Sequence, residues 1–208
     1  MSNHIIKLIE KGENQTLDFK FEISDSKKIA RTISAFANTD GGKLLVGVKD
    51  NGRIAGVRSE EEFYMIEGAA SMYCKPPINF SVKNWQISGK TILEVDIQKS
   101  STTHYAPDEQ GKMQYYTRVD DKTLQVNSIF LRVKQLQKQK KPVILRYSKD
   151  EQAILDYLAE NKDITLSKFC KIAHLTNKMA EEILVNLIVL NIIEQKLTET
   201  TAFYMLKK

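Results

Sequence analysis

A strand, a helix and a glycine-punctuated hairpin follow one another between Glu13 and Val57, and this order constrains the fold more than any other stretch of the chain. Glu13-Asn14-Gln15-Thr16-Leu17-Asp18-Phe19-Lys20 reads as a strand that carries both acidic and basic side chains. The helix after it sets Ile29, Ile33, Phe36 and Ala37 on one side. It ends in Asn38-Thr39-Asp40-Gly41-Gly42, where the glycines permit left-handed backbone and close approach of a ligand. Leu45-Val46-Gly47-Val48 then leads into Asp50-Asn51-Gly52-Arg53, a good hairpin turn, and the hairpin closes at Val57. Carboxylates, lysines and permissive backbone are thus gathered in one unit, which suits phosphate binding or phosphate chemistry better than plain core building.

Three motifs in this order resemble the Schlafen AlbA-like DNA-binding domain family, over roughly residues 5 to 135. They are Glu13 with Asp18-Phe19-Lys20, then Ser34-Ala35-Phe36-Ala37-Asn38-Thr39-Asp40-Gly41-Gly42, then Gly47-Val48-Lys49-Asp50-Asn51-Gly52 closing on Gly56-Val57. The later Tyr115-Tyr116-Thr117-Arg118-Val119 fits the family's Tyr-x-Arg strand. The resemblance implies an α+β fold, a mixed sheet with packed helices, and a nucleic acid, DNA or RNA, as partner. The leading expectation is a DNA-binding transcriptional regulator, with enzymatic activity left open.

Two alternatives stand beside it. In Schlafen proteins with RNase activity, three acids at the matching positions form the catalytic group. Carried over, Glu13, Asp18 and Asp50 would hold Mg²⁺ or Mn²⁺ through hard oxygen ligands, and Lys20 would contact the phosphate. This chain departs from the family in carrying Asp18 where Glu is usual, which retracts the carboxylate by one methylene. The other alternative is a non-enzymatic dimerisation module. ATP is not expected as a cofactor: no G-x-x-x-x-G-K-[ST] loop is present, and Gly41-Gly42-Lys43 lacks the following hydroxyl residue and helix.

Charge adds candidate nucleic-acid contacts. The net charge is +5 and the pI about 9.0, which permits a polyanionic partner. Lys27, Lys28 and Arg31 fall on one side of the first long helix at spacings of three and four. Arg118, beside Tyr115 and Tyr116, would offer charge plus stacking. No acidic residue occurs between Lys122 and Lys149, a stretch that includes Lys138, Lys140 and Lys141. The two cysteines and three histidines are dispersed, so neither a disulfide nor a zinc site is expected. With no long apolar run and no basic-then-apolar leader, no membrane is expected and the location is read as cytoplasmic.

Three segments result: a Schlafen AlbA-like domain over 1–136, a basic linker over 137–147 and a smaller domain over 148–208. Within the first, Ser59 and Glu62 form a capping-box pattern opening a helix over 59–75. Leu93, Val95 and Ile97 alternate with Glu94 and Asp96, which predicts a strand with one face buried. The last segment reads helix, strand, helix, turn, helix, then a two-strand hairpin, the order of a winged helix. It carries eight lysines against nine carboxylates, and its third helix opens with Asn177, Lys178, Glu181 and Glu182 before an unusually apolar run from Ile183 to Leu190. Carboxylates there would repel phosphates, so DNA contact and protein docking, including a homodimer, are both open for this segment.

Overall fold

The computed structural model describes residues 2–139 and 148–207, and the chain divides into two compact units, 1–125 and 126–208. The class is α+β, as expected. Among the described residues no helix is long and apolar enough to cross a membrane.

The first unit opens with helix α1 (Ser2–Lys11). Strand β1 (Leu17–Lys20), helix α2 (Ser26–Asn38) and strand β2 (Gly42–Val46) follow as a β-α-β unit, with β1 and β2 parallel and Asp18 in register with Leu44. Asp25 caps α2: its carboxylate accepts the Lys27 and Lys28 N–H groups at 2.8 and 3.3 Å. The helix stops where the Thr39 and Gly41 N–H groups both turn back to Phe36 O, and Gly41 supplies the positive φ that this requires.

A small hairpin bridged at Val48 and Ile54 leads to helix α3 (Glu61–Gly68), which continues as a π-helical turn over Ala69–Tyr73. Only the Glu62 half of the expected capping box forms: Glu62 accepts the Arg58 and Ser59 N–H groups, while Ser59 Oγ accepts the Glu61 N–H in place of the Glu62 one, and the helix starts one residue later, with Glu60 at its N-cap. Strands β3 (Phe80–Ile87) and β4 (Lys90–Ile97) complete an antiparallel extension, giving the sheet order β1-β2-β4-β3. Strands β5 (Tyr105–Pro107), β6 (Met113–Val119) and β7 (Lys122–Gln125) form a second, antiparallel sheet.

Strand pleating assigns the two faces of the first sheet. Leu44, Val46, Leu93, Val95 and Ile97 pack with Ile29, Ile33 and Phe36 of α2 and with Tyr116 of β6. Leu17, Phe19, Leu45 and Ile92 pack on the opposite side with Ile5 of α1. Both faces are therefore covered. This corrects the one-sided reading of β4, since α1 lies over the face that carries Glu94.

The second unit comprises α4 (Ser128–Gln139), α5 (Lys149–Glu160), β8 (Ile164–Thr165), α6 (Leu166–Ile172), α7 (Asn177–Val189), β9 (Ile193–Leu197) and β10 (Ala202–Leu206). Its sheet order is β8-β10-β9, antiparallel throughout. Helix α4 packs here and not with the first domain as expected: Ile129 and Val133 share a core with Leu184, Val185 and Leu187 of α7. The boundary thus falls after Gln125 and not at 136. The apolar run of α7, which motivated the dimer reading, is buried in large part within its own unit.

Candidate functional site

Two charged clusters lie on opposite faces of the β1-β2-β4-β3 sheet. On the α2 side, Asp18 is 3% exposed and each of its oxygens has a cationic partner. Arg118 Nη2 is 2.9 Å from Oδ1, and Lys20 Nζ is 2.5 Å from Oδ2. Arg118 also donates to Asn14 O, Leu17 O and Thr123 Oγ1, and its guanidinium lies 4.9 Å from the centre of the Phe36 ring. Its Nε, also buried, has no hydrogen-bond partner among the described residues. This node ties β1 to β6 across the face that α2 covers.

The helix-terminal motif completes the fastening. Asn38 donates to His104 O and Tyr116 O and accepts the His104 N–H. Thr39 Oγ1 donates to Ala35 O and accepts the Arg118 N–H. A Cβ at Gly42 would stand 2.5 Å from the Phe36 ring, and one at Gly41 2.8 Å from Ile97 O. The close approach that these glycines allow is taken up by the chain itself. Asn38, Thr39, Gly41 and Gly42 therefore serve packing.

Glu13 lies beside this node. Its Oε1 accepts the Phe19 N–H at 2.8 Å. Burial raises its carboxyl above the ordinary value of 4.5; the Phe19 N–H and Lys20 oppose the shift, while Asp18 and Asp50 add to it. The three acids thus share one electrostatic neighbourhood, but they do not form a metal site. Asp18 is committed to Arg118 and Lys20, Asp50 is exposed on the hairpin turn, and among the described residues no group of three or more His, Cys, Asp or Glu side chains converges to hold an ion. The donor set does not fit the Mg²⁺ or Mn²⁺ that the resemblance implied.

The other candidate contacts separate by burial. Lys27 and Lys28 are exposed on the first turn of α2. Arg31 is half-buried and donates to Pro107 O at 2.8 Å, joining α2 to β5. Arg118, Tyr115 and Tyr116 are buried, so the reading of Arg118 as a contact for nucleic acid is corrected: its charge is directed at Asp18. Lys20 is partly exposed but bound to Asp18. Lys138 is exposed near the end of α4, in the second unit. Lys140 and Lys141 lie outside the described residues.

The cluster on the α1 side went unnoticed in the sequence. Glu94, 2% exposed, accepts from Lys43 Nζ at 2.8 Å, Trp85 Nε1 at 2.7 Å and His4 Nε2 at 3.0 Å. Burial alone would raise its carboxyl, but Lys43, His4 and Trp85 outweigh it and hold it below the ordinary 4.5. The available signal was Lys43 and Glu94 on strands that pair, which becomes readable only once β2 and β4 are known to be neighbours.

Residues 13–127 match the Schlafen, AlbA_2 family, more than half of the chain. The chain belongs to that family. Similar solved structures include the DIP2311 protein from Corynebacterium diphtheriae, at 21% identity and a TM-score of 0.46, covering 61% of this chain and 28% of that one. Another is the N-terminal domain of a RecG-related protein from Nitrosomonas europaea, at 23% identity and a TM-score of 0.39, covering 52% of this chain and 79% of that one. The chain thus spans less than a third of the first of these. Within this AlbA_2 member, the family motifs map onto the Asp18–Arg118 node and the Asn38–Gly42 fastening. Membership of the family suggests nucleic-acid binding.

Proposed function

We propose that this chain is a nucleic-acid-binding protein of the regulatory kind, acting on DNA, with the first unit supplying the contact surface. Family membership over residues 13–127 carries the reading. The net charge of +5 and the exposed Lys27 and Lys28 on α2 agree with it. Lysines free to reach solvent form contacts to phosphate that are independent of sequence. The second unit is read as a winged-helix module from its order of helix, strand, helix, helix and hairpin. Glu182, exposed on the first turns of α7, makes that helix a poor reader of phosphates, so the second unit contributes less to affinity.

The nuclease alternative has no geometric support at Asp18, whose carboxylate is neutralised by two cations. The test is a binding titration of the full chain and of Lys27→Ala/Lys28→Ala on one labelled duplex. The variant is expected to bind more weakly at low salt, with a salt slope reduced by up to about two. An unchanged slope and affinity would remove α2 from the contact surface.

A further inference from the structure

A groove of about 600 Å³ opens on the first unit, away from the Asp18–Arg118 node. Its floor is the exposed end of the sheet face that α2 covers elsewhere. Val82, Asn84 and Gln86 share that face at the strand spacing of two, but only Val82 packs against the core. Asn84 and Gln86 line the groove and are exposed. Amide side chains thus occupy positions where the pattern of the face calls for apolar ones.

The wall is α3. Tyr64, 62% exposed, and Phe63, 37% exposed, line the groove as an edge-to-face pair with ring centres 5.8 Å apart. Large aromatic side chains left this exposed on α3 are the costly choice for a chain that only needs solubility. At the rim stands Arg58, whose side chain is 71% exposed and lies 5.5 Å from the centre of the Phe21 ring. It is paired with Glu22 at 3.1 Å, and Glu60 lines the same groove. Local charge is therefore near balance. Recognition here must come from flat rings and amide groups, with Arg58 the cation among the described lining residues to meet a phosphate.

The geometry points to a site for an unstacked nucleobase of a single-stranded nucleic acid, stacked on Tyr64 and met along its edge by the Asn84 and Gln86 amides. Aromatic faces bind bases of any sequence, and side-chain amides pair with base edges. Glu60 disfavours phosphates beside it, and a backbone phosphate that reaches Arg58 competes there with Glu22. Double-stranded nucleic acid has no free base face to offer. The inference rests on the nucleic-acid reading above and narrows it to single strands at this groove.

The test uses the full chain with labelled single-stranded DNA and RNA 12-mers, the same strands with abasic sites, a duplex, and a free mononucleotide. Tyr64 is a surface side chain, so Tyr64→Ala leaves the fold intact, and circular dichroism checks this. Tyr64→Ala is expected to weaken single-strand binding roughly five- to hundredfold, with Tyr64→Phe close to wild type, duplex binding unchanged and abasic strands already weak. Asn84→Ala should weaken the same strands more modestly. Whichever of the DNA and RNA strands loses more on Tyr64→Ala identifies the source of the base. Single-strand binding within twofold of wild type in Tyr64→Ala, equal binding of abasic strands, or binding of the mononucleotide alone would overturn the inference. If the duplex still binds through Lys27 and Lys28, the broader reading survives that result. If no nucleic acid binds at all, both fall.

Discussion

Replacing Arg118 with Met removes the charge from a buried pair while keeping most of the side-chain volume. Asp18 would keep Lys20 on Oδ2 but lose the guanidinium 2.9 Å from Oδ1. Asn14 O, Leu17 O and Thr123 Oγ1 would each lose a donor. Breaking a buried ion pair from one side costs about 3–5 kcal/mol, because the remaining charge stays buried. Lys20 still compensates Asp18 in part, which favours the lower end, about 3 kcal/mol. Trp85 is the one tryptophan of the chain and lies in the first unit, so its fluorescence reports unfolding of that unit alone. With a urea m-value of about 2 kcal/mol/M, the midpoint should fall by roughly 1.5 M. The double variant Asp18→Leu/Arg118→Met removes both charges and should regain most of the loss, since apolar replacement of a buried pair is often neutral. A single variant within about 0.5 M of wild type, or a double variant worse than the single, would refute the assignment of this pair as the fastening between β1 and β6.

Three further outcomes follow from the same geometry. Gly42→Ala should destabilise the first unit by about 1–3 kcal/mol, because its Cβ meets the Phe36 ring; urea unfolding measures this. The Cys74 thiol, fully buried and pushed up to about 12 by that burial, should resist a thiol reagent near pH 8 in the native protein; the half-buried Cys170 should react, and denaturation should expose the second thiol. Glu94, whose folded carboxyl lies below 4.5, stabilises fully above that pH and loses its contribution as pH falls through its lower folded value. Glu94→Gln should therefore be less stable at neutral pH and show a shallower acid decline, as followed by far-ultraviolet circular dichroism.

Local pattern revealed much of the fold. The strand that carries Asp18, the apolar stripe and glycine end of α2, the Ser59–Glu62 pair and the alternation along β4 all depend on residues a few positions apart. What stayed hidden depends on distant partners. Arg118 reads as an open cation until β6 is seen to lie over Asp18, one hundred positions earlier in the chain. Glu94 reads as a solvent-facing strand residue until α1 covers it. The apolar run of α7 reads as an interface until α4 is found on it. Asn84 and Gln86 gain meaning only when Phe63 and Tyr64 are placed across from them. A sequence shows which side chains are unusual; the fold decides whether each is directed at the chain itself or outward.

The most direct test of nucleic-acid binding is fluorescence anisotropy of the purified full chain with labelled DNA, across a series of salt concentrations. Binding at low salt, with log K falling linearly as log salt rises, is the predicted result. Affinity that does not change with salt, or no binding at the lowest salt, would contradict it.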